Sequence, residues 1–243
     1  MTVGENADAS GAAAELRVSG THFPVTTLGP GRRLVVWTQG CALACPGCMS
    51  RHTWDPDGGR SAPVPALLAQ WRSALDAGAQ GLTVSGGEPL EQPAALAALL
   101  AGAARMRALA GPFPHGEPDL LVYTGYAEAE LDAPGHAALR HADAVITGRY
   151  RAGRPTRLVW RGSANQRLLP RTPLGRRRYA PHLSRTTAGP SLETVAQGTG
   201  VMVHGVPGPG ELAALERALR MRGVRLSEPS WRPAARRHRD GTG

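Results

Sequence analysis

The chain contains no lysine: all 28 basic side chains are arginine, against 19 carboxylates, leaving a formal charge of +9 over 243 residues. Aromatic residues make up only 5%. They do not interleave with the arginine groups at Arg176, Arg177 and Arg178 or at Arg232, Arg236, Arg237 and Arg239. A nucleic-acid surface that works by stacking needs that interleaving, so the positive charge reads as a solvated face and no nucleic-acid partner is expected. Cysteine is scarce as well. Three thiols, all between positions 41 and 48, are too few and too close for a secreted disulfide framework, and their grouping points to a metal site in a reducing compartment, the cytoplasm. No run approaches the roughly 18 apolar residues of a membrane span, and the opening MTVGENADAS lacks the basic start and apolar stretch of a secretory signal. The expectation is a soluble protein without membrane contact, long enough for one filled core and a small appended unit.

Residues 1–20 are rich in alanine and glycine and lack periodicity, the pattern of a flexible lead-in or an edge segment. From Arg33 onward, short apolar runs alternate with Ala/Leu-rich stretches, as in βα units around a parallel sheet, an α/β fold. Strands are predicted over 34–38, 82–85, 120–124 and 144–147, and helices over 66–77, 94–109 and 127–140, punctuated by Pro65, Pro93 and Pro134. The main unit is expected over 21–168. Residues 169–243 then form an Arg/Pro-rich connection and a small βαβ-like extension, with strands at 200–203 and 224–226 flanking a helix at 211–222. In such folds functional groups sit on loops after the carboxyl ends of strands.

The stretch WTQGCALACPGCMSRHTW sets Cys41, Cys45 and Cys48 at C-x3-C-x2-C on a glycine-bearing loop directly after the first strand. Iron–sulfur cubes usually take one thiolate per iron, so three ligands leave one iron open. A Cys3His zinc site that recruits His52 is a competing reading of the same residues. After the second strand comes LTVSGGEP, in which Gly86 and Gly87 lack a Cβ that would keep a ligand from the backbone. Glu88 could accept a hydrogen bond from an ammonium group. An ordinary strand-to-helix turn is the alternative reading of this second motif.

Together the two motifs resemble the radical-SAM superfamily, whose cluster signature is C-x3-C-x2-C after strand one and whose SAM-amino-group motif is GGEP after strand two. The likeness is closest to the glycyl-radical-enzyme activases, that of anaerobic ribonucleotide reductase in particular. VYTGY at 122–126, DAVITGRY at 143–150 and WRGSANQRL at 160–168 also carry it, in the right order. The resemblance implies a partial (βα) barrel and a [4Fe–4S] cluster on Cys41, Cys45 and Cys48. It also implies S-adenosylmethionine (SAM) at the open iron, with Gly86, Gly87 and Glu88 at its methionine end and Tyr123 and Thr124 lining the adenosyl site. The implied activity is reductive cleavage of SAM to a 5′-deoxyadenosyl radical that activates a glycyl-radical enzyme partner. No side chain acts as a general base, and an external donor such as a flavodoxin supplies the electron. A single-cluster enzyme acting on a small molecule, of the deazaguanine-synthase kind, is the alternative; no cysteine is spare for a second cluster.

Two features depart from the activase pattern. Met49-Ser50-Arg51-His52 stands where an Asn-Pro pair is common, and some 75 residues follow Gln166. Trp37 and Trp54 are expected to pack around the cluster loop. Asn165 and Gln166 match a family pair without a derivable role, and His204 is expected as a hydrogen-bonded structural residue on a strand-end loop.

Overall fold

The predicted strands over 34–38, 120–124 and 144–147 have apolar residues at nearly every position, which suits strands buried on both faces, while 82–85 alternates apolar and polar residues. A computed structural model describes residues 14–187, 191–197, 200–227 and 229–232. Residues 1–13 of the expected lead-in, and Arg236, Arg237 and Arg239, lie outside the described residues. In chain order the elements are β1 (Glu15–Val25), β2 (Arg33–Thr38), β3 (Arg60–Pro63), α1 (Val64–Asp76), β4 (Gly81–Gly86), α2 (Pro93–Leu109) and β5 (Asp119–Tyr123). These are followed by α3 (Ala133–Ala138), β6 (Ala144–Thr147), β7 (Arg167–Pro170), α4 (Pro173–Tyr179), β8 (Leu192–Gln197), β9 (Gly200–Gly205) and α5 (Glu211–Met221).

Seven strands form one sheet in the order β3-β1-β2-β4-β5-β6-β7. β2, β4, β5 and β6 run parallel, while β1, β3 and β7 are antiparallel additions at the two sides. The class is α/β, as expected. One face of the parallel strands presents Leu34, Val36, Leu82, Val84, Leu120 and Val122 to Leu67 and Trp71 of α1 and to Leu96, Leu99 and Leu100 of α2. The residues between them, Val35, Leu121 and Ile146, face the other way into smaller clusters with Leu28 and Tyr179.

Three expectations need correction. Residues 15–20 are no lead-in: they belong to β1, whose Leu16 and Val18 are fully buried in the core. The helix predicted over 127–140 is broken into a 3-10 turn at Glu128–Glu130, the short α3, and another turn at Leu139–His141. Pro134 sits in the first turn of α3 behind Asp132, which caps the Gly135 amide, because a proline starts a helix more readily than it continues one. The βαβ-like extension is instead a hairpin followed by a helix. β9 pairs antiparallel with β8 in a separate two-stranded sheet, and 224–226 forms no strand.

At the amino ends of the parallel strands sits a buried polar knot. The Arg33 guanidinium, fully buried, meets Asp119 Oδ1 at 2.7 Å and Oδ2 at 3.1 Å, and its Nε donates to Thr83 Oγ1 at 2.6 Å. The Tyr179 hydroxyl and Arg178 also converge on Asp119. The carboxyl ends are left for other uses.

Candidate functional site

The loops after β2, β4 and β5 lock together at the carboxyl edge of the sheet. Gly87 N–H donates to the Thr38 carbonyl and Glu88 N–H to the Gly40 carbonyl, both at 2.8 Å. Gly86 adopts φ +105, and a Cβ on Gly87 would lie 2.2 Å from the Gly40 oxygen. The missing Cβ at Gly87 therefore admits the backbone of the cysteine loop. The far side of that loop is braced by Gly40 N–H on the Thr53 carbonyl at 2.8 Å and Cys41 N–H on the Trp54 carbonyl at 3.1 Å.

Three polar side chains that sequence reasoning did not single out complete the brace. Glu91 Oε1 accepts from Ala42 N–H at 2.6 Å. Gln39 Nε2 donates to the Asp55 and His52 carbonyls, and Gln92 Nε2 donates to the Gln39 and Arg17 carbonyls. Nothing in local spacing marks such contacts, since their partners lie up to 75 residues away.

Glu88 is buried, and its carboxylate accepts from Thr124 Oγ1 at 2.8 Å, Gly125 N–H at 2.7 Å and Leu90 N–H at 3.0 Å. Burial pushes it up to about 7 despite these donors. It thus ties the β4 loop to the β5 loop. Thr124 points to Glu88, whereas the ring of Tyr123, one residue earlier in the strand, turns to the opposite face and lines a cavity beside Cys48.

Cys41, Cys45 and Cys48 are half-buried free thiols on one loop. Burial raises Cys41 to about 11 and Cys48 above its usual value, so iron entering there has to displace both protons, the usual coupling of metal binding to thiol ionisation. Among the described residues no three His, Cys, Asp or Glu side chains converge closely enough to hold a single ion. Three thiols and no carboxylate ligand on one preshaped loop match the donor set of a cube with one iron left over.

Asn165 and Gln166 acquire a physical role. Asn165 Nδ2 donates to the Arg149 carbonyl and Gln166 Nε2 to the Gly148 carbonyl, each at 2.9 Å, while Gln166 Oε1 accepts from Gly162 N–H at 2.7 Å. They pin the segment before β7 to the β6 loop. Trp54 packs beneath the Arg51 guanidinium, 5.1 Å from ring centroid to Cζ. Trp37 stacks on His204 with centroids 4.7 Å apart, so its partner is the extension. His204 lies within β9, which corrects the expectation of a loop histidine, and its Nε2 has no hydrogen-bond partner among the described residues.

Residues 27–169 match the 4Fe-4S single cluster domain family. The chain belongs to that family. Its iron–sulfur domain thus spans the parallel strands and all three cysteines, and ends before β8. Curated relatives include the anaerobic ribonucleoside-triphosphate reductase-activating proteins of Enterobacteria phage T4, 33% identical over 141 residues (58% of this chain, 85% of the relative), and of Pasteurella multocida, 36% identical over 153 residues (60% and 92%). The protein of the same name from Escherichia coli K12 is 31% identical over 150 residues (60% and 93%). These relatives bear out the resemblance to radical-SAM activases. Among solved structures, QueE from Escherichia coli is a distant likeness, with a TM-score of 0.39 and 16% identity over 55% of this chain and 70% of that one. No helix among the described residues is long and apolar enough to cross a membrane.

Proposed function

We propose that the protein is a radical-SAM activase that holds a [4Fe–4S] cluster on Cys41, Cys45 and Cys48 and activates a glycyl-radical enzyme, an anaerobic ribonucleotide reductase by the names of its relatives. The observation that carries this reading is the direct backbone docking of the three-cysteine loop onto Gly87 and Glu88, in a chain of the single-cluster family. When bound, the cluster and SAM supply one-electron cleavage of a sulfonium carbon–sulfur bond, and the 5′-deoxyadenosyl radical released takes a hydrogen atom from a glycine of the partner.

The chain's own residues bind and orient. The thiols supply three ligands, and the Gly86–Gly87 backbone receives the methionine end of SAM beside the cysteine loop. Glu88 acts there by holding that turn against Thr124 and Gly125. Thr124 serves the adenosyl end by positioning the loop, and Tyr123 by lining the cavity that continues from Cys48. The electron comes from an external donor of the flavodoxin type.

Anaerobic reconstitution with iron and sulfide, reduction with dithionite and addition of SAM tests this. The expected result is 5′-deoxyadenosine in the wild type and none in Cys45→Ala, followed by a glycyl radical signal when the partner reductase is added. Tightly bound zinc with intact SAM would overturn the reading.

A further inference from the structure

The turn that follows Cys48 is held from two sources. The Ser50 carbonyl accepts from Thr53 N–H at 2.9 Å and from Thr53 Oγ1 at 2.7 Å, and the Arg51 carbonyl accepts from Trp54 N–H at 3.1 Å. These donors belong to the turn itself. The Met49 carbonyl instead accepts from Ser230 Oγ at 2.6 Å, 181 residues further along the chain. Residues next to Ser230 are anchored to α5: Trp231 Nε1 donates to Glu216 Oε1 at 2.7 Å and Arg232 Nε to the same oxygen at 3.1 Å, while the Arg232 guanidinium also pairs with the other carboxylate oxygen. This strap and α5 lie beyond residue 169, where the family match ends.

Met49 and Ser50 share one trans peptide group. Its carbonyl oxygen accepts from Ser230, and its N–H, on Ser50, donates to Cys48 Sγ at 3.4 Å. The group is planar, so a hydroxyl that fixes the carbonyl also fixes the direction of the N–H. Hydrogen bonds in a chain polarise one another, which makes that N–H a better donor. The reduction potential of an iron–sulfur cluster depends on the hydrogen bonds to its sulfurs, and partners one step behind the ligands orient and tune them. An N–H aimed at a ligand sulfur favours the reduced state, because the added electron increases the negative charge on sulfur.

We propose that Ser230 is a positioning residue supplied by the extension: its hydroxyl holds the Met49–Ser50 peptide with the N–H on the Cys48 sulfur and so makes the cluster easier to reduce. This rests on the reading of Cys48 as a cluster ligand. The readiness of the site to accept an electron is then set partly from outside the iron–sulfur domain.

The test compares full-length chains reconstituted anaerobically with iron and sulfide, in the absence of SAM, with the midpoint read by redox titration of the electron paramagnetic resonance signal of the reduced cluster. Ser230→Ala is expected to shift the midpoint to more negative potential at unchanged iron per chain, and Ser230→Thr, which keeps the hydroxyl, to restore the wild-type value. An unchanged midpoint in Ser230→Ala overturns the proposal, and so does an equal shift in Ser230→Thr. Should Ser230→Ala hold no cluster, hydrogen exchange of the Ser50 amide in the metal-free chains decides: faster exchange in the alanine variant than in wild type and Ser230→Thr is expected, and equal exchange in all three overturns the proposal. An unchanged midpoint together with 5′-deoxyadenosine formation would defeat the positioning role alone, and a shifted midpoint in a chain that leaves SAM intact would defeat the activase reading alone.

Discussion

Gly87 shows how a single missing methyl group can hold two loops together. With the Gly40 oxygen 2.2 Å from where a Cβ would stand, Gly87→Ala has to push the cysteine loop off the β4 turn. Overpacking of this kind costs about 1–3 kcal/mol, and the strain falls on the segment that carries the thiols. Reconstituted Gly87→Ala is expected to retain less than half of the wild-type iron per chain, measured as iron and sulfide content after desalting. Glu88 works by the opposite means, filling a gap with acceptors. Glu88→Ala strands the Thr124 hydroxyl and the Gly125 amide at about 1–3 kcal/mol each. In Glu88→Gln one oxygen remains to accept, so a smaller drop in the urea midpoint is expected than for the alanine variant. The need for glycine at 86 and 87 was legible in the sequence. The identity of the neighbour that needs the space was not, because Gly40 becomes a neighbour only when β2 and β4 pair.

Elements defined by their own periodicity were legible, and elements defined by a distant partner were not. β2, β4, β5, β6, α1 and α2 fall within a few residues of where apolar runs and prolines put them. β1 escaped notice because Leu16 and Val18 are its only two core-facing residues before the glycine at 20 interrupts the pattern. β8, LETVAQ, follows the Arg/Pro-rich stretch and carries little apolar pattern of its own, and its register depends on β9. The hairpin these two form is fastened to the main sheet by Glu193, which accepts from the Thr26 and Thr27 hydroxyls and the Thr26 amide, and by the His204 stack. Burial and the neighbouring His22 hold His204 down to about 4, against a smaller opposite pull from Glu193. A histidine held below its ordinary value contributes stability that is present above about 6.5 and lost as the pH falls through the folded value. Acidification from about pH 7 to about pH 4 is therefore expected to lower the hydrogen-exchange protection factors of β8 and β9, taken against the intrinsic rate at each pH, before it lowers those of β4 and β5. In His204→Phe that separation should disappear, and unchanged protection in the wild-type hairpin over this range would contradict the assignment.

Across the whole molecule, stability and chemistry occupy opposite ends of the same strands. The carboxyl ends carry the thiols, Gly86, Gly87 and Glu88, held by backbone hydrogen bonds between loops. At the amino ends the ion pair of Arg33 and Asp119 is fully buried, with Thr83, Tyr179 and Arg178 gathered on it. Such a pair is weak evidence for net stability over an apolar replacement, yet removing one partner leaves an uncompensated buried charge. Asp119→Asn is expected to lower unfolding stability by about 3–5 kcal/mol, read from the denaturant midpoint, because Arg33 keeps its charge and loses its counterion. The fraction that remains folded should still take up iron to the wild-type level, since residue 119 begins β5 and the site lies beyond its other end. Loss of iron in proportion to loss of the carboxylate, with the fold intact, would mean that the two ends are coupled through the strands. The contrast with Gly87→Ala is what makes the division testable, for that variant is expected to lose iron well before it loses the sheet.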